Sequence, residues 1–313
     1  MLLIASSRFE EHVTPPGHPE RPERARVFQR IADDWRERGG RVPEPRTATV
    51  EELLRVHTRE HIERMAATAG RPGTMLDADT FTSPESFDVA LLAAGAAVQA
   101  TEHALASGET ALALVRPPGH HAERDQAMGF CLFNNVAVAA AAALARGLER
   151  VAIVDIDVHH GNGTQHIFYA EPRVLYVSTH QHPFYPGTGA ANETGAGAGS
   201  GFTFNLPLPS GSTDADYARA YDRVAERLTE FHPELLLVSA GYDAHADDPL
   251  ASMYVTVDGY AAIVRQVLGA SSAPAVFLTE GGYDLDALEA CIHASIEQID
   301  ARSQDPTPQR PRG

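Results

Sequence analysis

The chain has 313 residues, 43% hydrophobic and 21% charged, the balance of an ordinary globular protein long enough to bury a substantial core. Its 25 Lys and Arg against 42 Asp and Glu give a formal charge of −17, which argues against nucleic acid as a partner and suits a cationic one. With two cysteines, Cys131 and Cys291, there is neither a disulfide framework nor a thiolate cluster, so any metal must be held by His and carboxylates.

In chain order, Leu2–Ala5 reads as a first short buried strand. The opening Met1-Leu2-Leu3-Ile4 is too short for a signal peptide, and no uninterrupted apolar run reaches membrane-spanning length, so a cytoplasmic protein with no membrane partner is expected. Helix Phe87–Ala106, strand Ala111–Val115, helix Asn134–Ala145 and strands Val151–Val158 and Val174–Ser178 follow. A Gly/Ala/Ser-rich loop at 195–201, suited to a hairpin, precedes helix Asp214–Phe231, strand Leu235–Ser239, helix Asp258–Leu268, strand Ala275–Thr279 and helix Leu285–Ile299. Asp214 and Asp258 look like N-caps. Short, wholly apolar strands are typical of a sheet covered on both faces. The alternation therefore predicts one α/β domain over 1–302, a mostly parallel sheet flanked by helices on both faces. The tail 303–313, with three prolines and no apolar run, is expected to be disordered.

In such sheets function gathers past the carboxyl ends of the strands. The run Val151–Gly163 begins as a buried strand and places Asp155, Asp157 and His159 at alternate positions, hence on one strand face, and carboxylates inside an apolar strand need a cation or hydrogen-bond partners. A second apolar strand delivers Asp243 at its end. Two carboxylates and an imidazole leave coordination positions open, as a catalytic zinc site requires. His160 should face away from His159, and His245 is a competing ligand. Ala111–Val115 runs into Arg116-Pro-Pro-Gly-His120-His121, a stiff loop whose paired histidines suit proton transfer, with Asp155 free to orient one of them. The last strand ends in Glu280-Gly-Gly-Tyr283, where a tyrosine could donate to an oxyanion.

These segments, with Gly129-Phe-Cys-Leu-Phe-Asn-Asn135, Asp155-Ile-Asp-Val-His-His-Gly-Asn-Gly163, Tyr185-Pro-Gly-Thr-Gly189 and Ala240-Gly-Tyr-Asp243, resemble the zinc-dependent histone deacetylase family, in particular its bacterial class II-like branch, over nearly the whole chain. The resemblance implies an arginase/deacetylase-like fold and hydrolysis of the amide of acylated lysine side chains or small acylated amines. It implies one Zn2+ on Asp157, His159 and Asp243, and a structural K+ near Asp155 and Asp157 that also uses Ser178. It makes His121 the general base and then the acid to the leaving amine, with His120 paired to Asp155 and Tyr283 on the oxyanion. Phe130 and Tyr185 would wall a narrow tunnel, Gly129 its floor and Leu250 its rim. Asp79 would hold substrate backbone, and Arg24 would line an internal product channel. Asn162, where some branches carry Asp, would leave His121 easier to keep as a free base. The rivals are an acetylpolyamine amidohydrolase, which Leu250 disfavours although Asp247 and Asp248 lie nearby, a dimanganese arginase, and a non-catalytic acyl-lysine binding protein.

Overall fold

The structure, a computed structural model, describes residues 1–304. Its elements are β1 (Leu2–Ile4), α1 (Glu23–Glu37), α2 (Val50–Leu54), α3 (Arg59–Ala66), a hairpin of β2 (Thr74–Met75) and β3 (Phe81–Thr82), α4 (Ser86–Ser107), β4 (Ala111–Ala113), α5 (Asn135–Ala145), β5 (Val151–Asp155), α6 (Asn162–Phe168), β6 (Val174–Gln181), β7 (Thr203–Leu208), α7 (Asp214–Phe231), β8 (Leu235–Ala240), α8 (Val257–Gly269), β9 (Ala275–Thr279) and α9 (Leu285–Gln304). Residues 303–304 complete α9, so the tail expected from residue 303 begins inside a helix; the expectation for 305–313 lies outside the described residues.

One seven-stranded sheet runs β1-β4-β9-β8-β5-β6-β7, and every neighbouring pair is parallel. Alternate strand residues feed two separate cores, as the two-residue side-chain period demands. On one face Ala111, Val151, Ile153, Val174, Leu237 and Leu278 pack against α4 and α5. On the other, Leu112, Ala152, Val154, Leu236, Val238 and Phe277 meet α1, α7, α8 and α9. Each fully buried Val or Leu contributes about 1.5–3 kcal/mol. Helix α4 is long and apolar enough to cross a membrane by length and composition, and the fold uses it as a core helix, with 67% of its most apolar window buried.

The strand order fixes where a site can form. From β5 the chain moves outward through β6 and β7, then returns to lay β8 and β9 on the other side of β5. That reversal opens a crevice beyond the carboxyl ends of β5, β8, β9 and β4.

Several expectations need correction. β5 stops at Asp155, so Asp157 and His159 are not on the strand. The ladder ends because carboxylates take over its amides: Asp155 Oδ1 accepts from Asp157 N (3.2 Å), Asp243 Oδ1 from Val158 N (2.8 Å) and Asp157 Oδ1 from His159 N (2.9 Å). The glycine-rich loop at 195–201 joins two parallel strands and makes no hairpin, because β7 runs alongside β6. The helix caps are Thr213 and Thr256, one residue or more before the expected aspartates. Asp214 instead accepts from Thr256 N (2.8 Å) and Thr256 Oγ1 (2.7 Å), tying the start of α7 to that of α8.

Candidate active site

The loops after β5, β8, β9 and β4 converge at the crevice. Asp157, His159 and Asp243 are buried there, with one ligand atom from each lying within 4.8 Å of the others. His159 Nδ1 is 3.1 Å from both Asp157 Oδ1 and Asp243 Oδ2. Burial disfavours charge on both carboxylates; the neighbouring His120 and His159 overcome it and hold Asp157 ionised, while burial and the Asp157 charge push Asp243 up to about 7. Burial opposes charge on His159, yet the two carboxylates outweigh it and raise the imidazole to about 10. The cluster is thus short of positive charge in a way that a divalent cation would correct. Its surroundings leave room for nothing bulkier: a Cβ on Gly281 would lie 2.1 Å from Asp243 Oδ2, and the Gly281 N–H donates to Asp157 Oδ2 at 2.8 Å. The expected ligand set therefore comes together, and its chemistry fits a divalent metal. His245 is not part of it, since its Nδ1 accepts from Asp247 N. His160 faces away as expected, bonded to Thr188 Oγ1 (2.7 Å) and Gln165 Oε1 (2.9 Å), which ties this segment to the loop carrying Tyr185.

The adjacent histidines are driven in opposite directions. Burial works against charge on His120, but Asp155, whose Oδ2 is 2.9 Å from His120 Nδ1, and Asp157 overcome it and raise its pKa well above the ordinary value. Burial, reinforced by the charges of His120 and His159, drives His121 well below. One imidazole is thus kept cationic and the other neutral, the separation that acid–base work needs. His121 Nδ1 meets Asn162 Oδ1 at 2.8 Å, which leaves the ring's other nitrogen free for proton transfer.

Sequence reasoning missed Glu280 and Glu123. Glu280 is wholly buried; its carboxylate accepts from Gly119 N (2.6 Å), His120 N (3.2 Å) and Ser239 Oγ (2.8 Å), so it locks the histidine loop onto the ends of β8 and β9. A carboxylate at the end of the apolar β9 was the available signal. Glu123 Oε1 accepts from Asn162 Nδ2 at 2.6 Å, fixing which end of that amide faces His121.

A cavity of about 220 Å³ opens above these groups, lined by Asp79, His121, Gly129, Phe130, His159, Phe184, Tyr185, Leu250 and Tyr283. Every expected wall, floor and rim residue is there, together with Phe184, which stacks on His159 at 5.5 Å and was not foreseen. So small a space suits one linear chain rather than a folded ligand. Phe130 adopts a left-handed φ of 69°, a strain of about 1–3 kcal/mol typical of functional positions, and Thr80 Oγ1 holds its N–H at 3.1 Å. At Gly129, also left-handed, a Cβ would collide with the His121 ring at 2.4 Å, so the floor must be glycine. A larger cleft of about 460 Å³ runs along β7 between Phe204 and Arg223 but brings together no group of histidines and carboxylates.

Tyr283 is 7% exposed, its ring 5.8 Å from that of Phe130 and 5.1 Å from the Arg24 guanidinium carbon. Burial raises its pKa well above 10, so the phenol stays a donor. Arg24 is occupied structurally: Nε donates to Gly282 O at 2.8 Å, one amino group donates to Glu280 O and the other reaches Glu20. Ser178 lies opposite Asp155 in the β5–β6 register, its hydroxyl 2.9 Å from His180 Nδ1. Asp247 is exposed and Asp248 turns inward to the turn after β9, and neither lines the cavity.

Comparison with known proteins agrees with this geometry. Residues 18–299 match the histone deacetylase domain. The chain is 42% identical to a probable deacetylase of Methanothermobacter thermautotrophicus, over 100% of this chain and 95% of that protein. It is also 42% identical to a histone deacetylase-like amidohydrolase of Pseudomonas aeruginosa, over 92% of this chain and 79% of that one. Among solved structures, the HDA15 HD domain superposes with a TM-score of 0.91 at 37% identity, covering 97% of this chain and 92% of the domain.

Proposed function

The chain belongs to the histone deacetylase family, and from that membership and the site we propose that it is a zinc-dependent hydrolase of acylated lysine side chains. The observation that carries this reading is the convergence, on one narrow aromatic-walled cavity, of a neutral histidine, a cationic histidine, a buried Asp/His/Asp set and a protonated tyrosine. Zinc on Asp157, His159 and Asp243 would polarise the acyl carbonyl and acidify the attacking water.

The protein's own groups do the rest. Phe130, Phe184 and Tyr185 enclose the aliphatic stem and keep bulk water out. Neutral His121 removes a proton from the water as it attacks the carbonyl carbon. The Tyr283 hydroxyl donates to the oxygen that gains negative charge. His121 then hands its proton to the leaving nitrogen as the C–N bond breaks, releasing carboxylate and free amine. His120, held cationic by Asp155, contributes positive charge beside this sequence. A structural potassium ion near Asp155, Asp157 and Ser178 belongs to the same reading; the buried carboxylates and the adjacent hydroxyl support it.

The direct test is hydrolysis of an acetyl-lysine peptide against N-acetylputrescine by zinc-loaded protein. Leu250 and Tyr185 at the mouth favour the peptide, so its kcat/KM should be the higher. A clear preference for N-acetylputrescine would make Asp79 the selecting carboxylate and overturn lysine as the substrate.

Asn162 supplies a second test. A carboxylate there would stabilise the His121 imidazolium more than an amide does. Asn162→Asp alone would set two carboxylates at the 2.6 Å contact with Glu123, so the variant is paired with Glu123→Gln. The base works when neutral, so a raised pKa moves the acidic limb of the kcat/KM profile to higher pH, by about one unit. An unmoved limb would remove His121 as the titrating base.

A further inference from the structure

Asp248 is 6% exposed and has no part in the chemistry above. It lies on the loop that follows Asp243 and reaches back to the turn after β9. Its Oδ2 accepts the backbone N–H of Tyr283 at 2.6 Å and of Asp284 at 3.3 Å, while Oδ1 accepts that of Leu250 at 3.0 Å. An ionised carboxylate only accepts, so it can hold all three donors at once, with bonds stronger than those to neutral acceptors.

The turn needs such a restraint. Tyr283 follows Gly281 and Gly282, residues with the least intrinsic backbone preference, and Gly282 stands at φ 119°. Gly281 is fixed through Asp157 and Gly282 through Arg24. The main chain of Tyr283 itself is fixed by Asp248. The same carboxylate sets Leu250, which faces the cavity from the rim. One buried side chain thus spans two loops that supply the oxyanion donor and the tunnel mouth.

We propose that Asp248 is a positioning residue for Tyr283: by holding that tyrosine's amide it sets the hydroxyl over the acyl oxygen, and through Leu250 it keeps the tunnel mouth in register with it. This rests on Tyr283 being the oxyanion donor.

Asp248→Asn is the test. The amide keeps one acceptor oxygen and turns N–H groups toward whichever loop loses it. With an acetyl-lysine peptide, kcat should fall roughly tenfold to a hundredfold with KM and zinc content nearly unchanged, since misplacement of this size acts on the transition state. In a Tyr283→Phe background the same substitution should cause little further loss, because both act through one hydroxyl. An equal loss in both backgrounds would overturn the proposal. Amide hydrogen exchange of the peptide spanning 280–285 gives a readout free of turnover: it should quicken in Asp248→Asn with the rest of the protein unchanged. Unaltered exchange there refutes the restraint, whereas a wild-type protein that restrains the turn but cleaves no acyl-lysine refutes the proposed function. Should Asp248→Asn fold poorly, Asp248→Ser, smaller and uncharged, is expected to give the same pattern in both readouts, and failure to do so overturns the proposal.

Discussion

Replacing Tyr283 with Phe is expected to lower kcat on an acetyl-lysine peptide by about 10²–10³-fold while zinc content and KM stay close to those of the unaltered protein. The substitution deletes one oxygen and keeps the ring, so the edge contact with Phe130 and the Arg24 guanidinium over the ring face survive. Burial keeps the phenol protonated across the working pH range, so the loss should be nearly independent of pH. A donor aimed at charge that appears only in the transition state contributes to kcat rather than to binding. If the variant retains most of its turnover, the cavity is oriented differently and the oxyanion sits elsewhere.

Asp243→Asn is expected to abolish activity through the metal. The amide oxygen can still accept from Val158 N, so the local backbone should hold. One of the two anionic ligands is gone, however, and zinc affinity should drop by more than the roughly 10–100-fold typical of losing a supporting residue. Zinc at a hundred times its dissociation constant stabilises a protein by about 2.7 kcal/mol, which raises the melting temperature of the unaltered chain by several degrees. In the variant that rise should vanish. The metal-free variant should melt no lower than the metal-free parent, because it has shed one of two carboxylates crowded around His159. Zinc-induced stabilisation of equal size in both proteins would remove Asp243 from the metal site.

The sequence exposed what depends on runs and chemistry. Six strands stood out because a strand covered on both faces must be apolar at every position, and β4, β8 and β9 are buried throughout. β7 did not, because it is an edge strand carrying Pro207 and half-buried residues, which breaks the apolar run. α1 was missed for a similar reason: Val27, Phe28 and Ile31 form its buried stripe, but charged residues surround them. β5 was overextended because Ile156 and Val158 continue the apolar pattern after the hydrogen-bond ladder has stopped. The threonine caps were hidden by aspartates one or two positions on, residue types that suit the same place.

The site followed the same division. Asp157, His159 and Asp243 were legible because charge at the end of a buried strand demands compensation, and the structure brings them together. Phe184 escaped notice because either of two adjacent aromatics could face the cavity, and both do. Glu123 and Asp248 act through another side chain's amide and through backbone amides, contacts between distant segments that leave no local pattern, whereas Glu280, which holds the amides of the histidine loop, was signalled only by its place at the end of the apolar β9.

The central claim is that Asp157, His159 and Asp243 hold one divalent ion facing the cavity. Calorimetric titration of zinc into the metal-stripped protein tests it most directly. One zinc bound per chain, with hydrolytic activity rising in step with occupancy, is the expected result. A protein that takes up no zinc, or that cleaves its substrate equally well without it, would contradict the account.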